Sequence, residues 1–299
     1  MRVFVTGATG FVGSFIVAEL IGAGHEVVGL SRSDAGAEAL VRAGAKVFRG
    51  DVNDVETLRN AAEAADGVIH AAFNHDASDL KRHSENDRRV IAALGAALAG
   101  TGRPLIVTSG TGLVQSATGR PVRETDPHAA SAVFPRAASE EAADALMEQD
   151  GNVVMVMRLP QVHDTRRQGR IRWHIQIARQ QGRVAYVGEG RNRVPAVHVS
   201  DAALLFRLAL ERGEAGARYH AVAEEGVPLR EIAEAIGAGL RLPVESITPE
   251  EAPDYYGLLA QLAVLDLPAS GAATGQRLGW VPTGPGLLTD LREADYDAM

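Results

Sequence analysis

The chain of 299 residues has no cysteine, so disulfides and thiolate metal sites are excluded and a reducing compartment fits. It has no surplus of positive charge. With 30 Lys+Arg against 38 Asp+Glu the net charge is −8, which argues against a general nucleic-acid surface. No apolar run approaches the roughly 20 residues that cross a bilayer. The opening "MRVFVTG" enters a strand without an apolar leader, so a cytoplasmic protein is expected, with neither membrane nor nucleic acid as partner. The nine histidines lack any spacing such as H-E-x-x-H, and no metal is expected.

What is present is the composition of a soluble globular chain: 46% hydrophobic and 23% charged residues, enough for a full core. Near-continuous apolar runs, "RVFVTG", "EVVGLSR", "KVFRGD", "GVIHAAF", "PLIVTSG" and "VVMVMRL", read as strands covered on both faces. Between them lie Ala/Leu-rich stretches with helical periodicity, such as "FVGSFIVAELIGAG" and "PRAASEEAADALMEQ". This alternation predicts an α/β fold with a doubly wound parallel sheet and a smaller C-terminal substrate lobe. Residues 1–160 are expected to form the dinucleotide-binding Rossmann domain, with 196–221 returning to it. Residues 161–195 and 222–299 are expected to form the lobe.

The segment "VTGATGFVG" carries the clearest chemistry. Gly7 allows a tight turn after strand one, Gly10 lets backbone approach a pyrophosphate, and Gly13 lets the next helix pack closely. Thr6, Thr9, Phe11 and Val12 complete this turn, and the helix N-terminus offers free N–H groups to phosphate. Strand two ends "GLSRSD", with Ser31 and Arg32 where NAD binders place a ribose-binding acid. A guanidinium and a hydroxyl suit a 2′-phosphate, which predicts NADP(H). The alternative is a solvated Arg32 with Asp34 holding the ribose of NAD.

These segments, with "RGDVND", "VIHAAF", "IVTSGTG" and "VMRLPQVH", resemble the extended and atypical short-chain dehydrogenase/reductase superfamily. The nearest branch is the epimerase/dehydratase one, with dihydroflavonol-reductase-like and 3β-hydroxysteroid-dehydrogenase-like members. The resemblance covers about residues 1 to 163, and "VPAVHVSDAA" continues it. It implies Asp51 and Val52 beside the adenine, Ala71, Ala72 and Phe73 along the cofactor, and Pro160 by the nicotinamide. It also implies Asn86 in the helix leading to the active-site strand.

The chemistry of that family uses a Ser or Thr with a Y-x-x-x-K pair, which this chain lacks. Laid on the family pattern, Arg136 falls at the tyrosine, Ser139 at a serine and Glu140 at the lysine, with Arg158 in register. Arg136 stays protonated, so it cannot be a general acid but could bind an oxyanion. The pair is expected to form an i, i+4 salt bridge on an exposed helix face. Ser109 or Thr111, at the end of strand five, is expected to polarise a carbonyl. His163 is expected near the nicotinamide, equally as proton donor or as a residue that lines the cofactor or supports that lining from behind, and water held near Ser109 and Thr111 is the other expected proton source. Trp173 and His174 belong to a helix that closes over substrate in the family, or else pack the lobe. His198 and Asp201 are expected to hold lobe to domain.

Three functions fit these observations. An NADPH-dependent reductase of a small ketone or aldehyde, possible as a homodimer, is preferred because hydride transfer survives loss of the usual proton donor. A redox-silent NADP-binding sensor and a sugar-nucleotide epimerase or dehydratase are the alternatives.

Overall fold

The computed structural model describes residues 1–74, 79–114 and 119–298. The chain alternates strand and helix from its start: β1 (Arg2–Thr6), α1 (Phe11–Gly22), β2 (Glu26–Ser31), α2 (Asp34–Arg42), β3 (Lys46–Arg49), α3 (Val55–Glu63), β4 (Gly67–His70), α4 (Leu80–Leu98) and β5 (Pro104–Gly110). It continues through α5 (Ala138–Met147), β6 (Val153–Leu159), β7 (Gln161–His163), α6 (Ile171–Gln181), β8 (Val184–Val187), β9 (Arg193–His198), α7 (Val199–Arg212) and β10 (Arg218–His220). Then come β11 (Glu224–Pro228), α8 (Leu229–Leu240), β12 (Val244–Ile247) and short helices that include Leu287–Glu293.

Seven strands form one sheet in the order β10-β6-β5-β4-β1-β2-β3, with every pairing parallel. Parallel neighbours need crossovers, and the helices supply them while covering both faces. Alternate side chains therefore enter opposite cores. Val3, Val5 and Ile106 meet α1 and α7, whereas Phe4, Leu105 and Val107 meet α3, α4 and α5. The strand order reverses between β1 and β4, and the carboxyl ends on either side of that point are where ligands bind in open sheets.

The chain leaves the large sheet at Pro160, which separates β6 from β7. Strand β7 pairs instead with β9, and β9 with β11, so a three-stranded sheet starts where the large one ends. A separate apolar core joins α6, α8 and the helix Leu287–Glu293 around Ile175, Ile232 and Leu291. Among the described residues no helix is long and apolar enough to cross a membrane.

Candidate active site

The turn after β1 is shaped by close backbone approach. Gly7 has φ +67°, and a Cβ there would lie 2.6 Å from the Ala71 carbonyl oxygen. A Cβ on Gly13 would fall 2.0 Å from the Gly7 carbonyl oxygen, so neither position admits another residue without backbone movement. Gly10 caps α1 with no side-chain hydrogen bond, and no acid occupies the first turn. By contrast Ser33, Asp54 and Asp79 cap α2, α3 and α4 with their side chains. The N–H groups of α1 thus remain for an anion, and the cradle fits a dinucleotide pyrophosphate. Thr9, Phe11 and Val12 keep exposed surface around it, while buried Thr6 accepts from the Ala72 amide at 3.3 Å and draws β4's end toward the turn.

At the tip of β2 the two expected residues part. Ser31 does not face outward: it is 4% exposed and its hydroxyl donates to the Ser33 carbonyl at 3.0 Å. Arg32 is exposed and makes no ion pair among the described residues. Asp34 is bound by Arg49 at 2.8 Å, and Arg49 also donates to the Ser33 carbonyl at 2.6 Å. Arg49 stands beside Ser31 in the β2–β3 register, a second cation that the motif did not reveal. Asp51 accepts from the Asn53 amide at 2.8 Å, fixing the loop after β3, and Val52 packs against the core below it.

The expected exposed salt bridge between Arg136 and Glu140 does not exist. Arg136 donates to Asp87 at 3.3 Å and to the Thr108 carbonyl at 2.9 Å, and its guanidinium lies 3.9 Å above the Phe73 ring. Asp87 also accepts from Ser139, and its other oxygen pairs with His70 at 2.9 Å. His70 in turn meets the Thr6 hydroxyl at 2.8 Å. A buried polar chain therefore runs from the phosphate turn to the place of the family tyrosine. Burial raises the Asp87 carboxyl, but His70 and Arg136 outweigh it and hold it below the ordinary range. Burial pushes Arg136 down against Asp87 and Glu140.

Glu140 turns the other way. It is wholly buried and accepts from Arg158 at 2.7 and 2.9 Å, a two-oxygen pairing between α5 and β6. Burial would raise its carboxyl, yet Arg158 and Ser109 hold it below the usual range. Ser109 donates to Glu140 at 2.6 Å, so this hydroxyl, expected to polarise a carbonyl, is already engaged. Thr111 opens the 3-10 turn after β5, and its hydroxyl has no hydrogen-bond partner among the described residues. The Thr108 hydroxyl, on the same end of β5, also has no partner among the described residues.

His163 takes the supporting place that its position in the sequence also allows. Its side chain has no exposed surface, and Nδ1 meets Asp290 at 2.6 Å. Burial pushes the imidazole below its ordinary value, with Asp290 opposing. In this structure His163 joins β7 to the helix Leu287–Glu293. It packs edge-to-face on His198 at 5.8 Å. Asp201 accepts from the Thr283 and Gly284 amides at 3.0 and 2.8 Å, tying the C-terminal segment to α7.

In the lobe, Trp173 and His174 of α6 line a cavity that Tyr256 and Gln161 also reach. Burial and the neighbouring Arg170 push His174 down to about 4, leaving it neutral. Burial pushes the Tyr256 phenol up, so it is no replacement acid. The residues missed from sequence, His70, Asp87, Arg49 and Arg170, are polar groups whose partners lie far along the chain. His70 in "GVIHAAF" and Arg158 in "VVMVMRL" were the available signals, because a polar side chain inside a buried strand needs a partner.

Residues 3–223 match the sequence model of the NAD dependent epimerase/dehydratase family. An uncharacterised protein of Schizosaccharomyces pombe is 44% identical over 298 residues, covering 99% of this chain and all of that one. A 2-alkyl-3-oxoalkanoate reductase of Stenotrophomonas maltophilia is 29% identical over 259 residues, 81% of this chain and 77% of its own. Among solved structures, a dTDP-glucose 4,6-dehydratase from Streptomyces venezuelae with NAD bound has a TM-score of 0.78 at 20% identity, over 98% of this chain and 96% of that one. At that identity the likeness concerns the fold.

Proposed function

The chain belongs to the NAD dependent epimerase/dehydratase family, and from that premise we propose that it is a reductase of a small carbonyl compound that draws on NADPH. The observation that carries this reading is Arg136 in the place of the family tyrosine, held by Asp87 and stacked on Phe73. Epimerases and dehydratases begin by oxidising a substrate hydroxyl, which needs a base. A guanidinium keeps its proton, and Glu140 is locked to Arg158. Reduction asks for the opposite: positive charge where negative charge grows on the carbonyl oxygen. Arg136 keeps 18% of its side chain exposed and can serve there.

A nicotinamide, when bound, supplies the hydride. The chain's own residues do the rest. Gly7, Gly10 and Gly13 with the start of α1 hold the pyrophosphate, and Arg32 takes the 2′-phosphate. Arg136 and Thr111 orient the carbonyl and stabilise its oxygen, and solvent water relayed through the Thr111 hydroxyl gives that oxygen its proton. The reductase named 2-alkyl-3-oxoalkanoate reductase among the relatives supports a carbonyl substrate.

The test is NADPH oxidation against a panel of ketones, aldehydes and 3-oxo acids. Turnover is expected with at least one of them. Arg136→Gln should then lower kcat by roughly 10²–10³-fold, the loss typical of one oxyanion donor, with dinucleotide affinity unchanged. Tight dinucleotide binding with no carbonyl reduced would favour a sensor. Conversion of a sugar nucleotide would restore the epimerase or dehydratase reading, which the family name also admits.

A further inference from the structure

The lobe cavity is walled largely by apolar groups, among them Ile177, Leu229 and Leu262. One arginine lines it, Arg170, at the start of α6. Its amide donates to Gln161 Oε1 at 2.9 Å, which anchors this residue to β7. Its guanidinium takes no carboxylate, carbonyl or ring partner among the described residues. Three less exposed arginines do: Arg136 has Asp87, Arg158 has Glu140, and Arg207 has Glu19. Arg170 is crowded by protein yet keeps exposed surface, as a group lining a cavity must. Only burial acts on its charge, pushing it below the ordinary arginine value with no acid to oppose.

We propose that Arg170 binds the carboxylate of the substrate, so that the reductase acts on small apolar oxo acids. This rests on the reductase reading of the site. A partly desolvated cation without a counter-ion is costly, and a planar guanidinium repays the cost best with a two-oxygen anion. One cation suits a monoanion. The only other basic side chain on the cavity wall, His174, is neutral, and no lysine stands with it, so a phosphate dianion would remain undercharged. The apolar walls fit an alkyl body. Gln161, which lines the cavity, directly follows Pro160, the residue expected beside the nicotinamide.

Binding can be tested apart from turnover. Calorimetry on the chain saturated with NADPH should show hexanoate binding at least tenfold tighter than hexanamide. Arg170→Gln should abolish that preference, and Arg170→Lys should keep only part of it, since an ammonium cannot form the two-point contact. In turnover, a 3-oxo acid should exceed its methyl ester at least tenfold in kcat/KM, and the ratio should collapse in Arg170→Gln. Equal binding of acid and amide by the unmutated protein, or a preference that survives Arg170→Gln, overturns the proposal. Acid preference without any turnover would retain the carboxylate site and reject the reductase reading.

Discussion

A phenol and a guanidinium differ in what they can do at one position, because the first can give up a proton near neutrality when activated and the second cannot. In the proposed reductase, that difference directs Arg136 toward charge stabilisation and the proton to water. The same reasoning applies at the cofactor's other end. Asp34, the one acid near the β2 tip, is held by Arg49, which leaves Arg32 as the free charge there. NADPH should therefore bind at least tenfold tighter than NADH, about 1.4 kcal/mol, and Arg32→Ala should erase most of the difference. Fluorescence titration of both cofactors checks this. Equal affinities in the unmutated protein would reject the assignment.

Elements meet through charges that the helical pattern alone does not place. Glu140 looks from its spacing like a partner for Arg136 one turn back, yet α5 presents it to β6, where Arg158 waits without solvent. Removing one member of such a pair strands the other, a cost of about 3–5 kcal/mol, whereas an exposed pair would cost under about 1 kcal/mol. Urea denaturation of Glu140→Gln decides between these values. The acid limb adds a second check. The folded carboxyl titrates below its unfolded value of about 4.3, so its stabilisation is present above that pH and is lost as pH falls through the folded value. Glu140→Gln should flatten that part of the profile.

Across the whole molecule, lobe and domain are joined by β7 pairing with β9 and by the C-terminal helix that brings Asp290 to His163. Burial holds this imidazole below its unfolded value of about 6.5, so its stabilisation is present above that pH and declines as pH falls through the folded value. Thermal melts from about pH 7 to 5 should show that decline in the unmutated protein and a flatter curve in His163→Gln. The pH profile of kcat/KM should be the same in both. A profile that flattens in the mutant would make His163 the proton donor after all.

Local chemistry was legible from the chain alone. The six strand runs, the helices between them and the Gly7–Gly10–Gly13 turn depend on neighbours a few residues apart, so periodicity and backbone freedom determine them wherever they occur. Absence was legible too: without a Y-x-x-x-K pair the usual proton relay had to be missing. The partners of the residues that replaced it were not legible. Arg136 finds Asp87 at a separation of 49 residues, His163 finds Asp290 at 127, and Ser109 finds Glu140 at 31. Such pairings arise only when the tertiary fold brings strands and helices from distant parts of the chain together. There, exclusion of water makes an unpaired charge too costly to leave, and the fold decides which charge answers which.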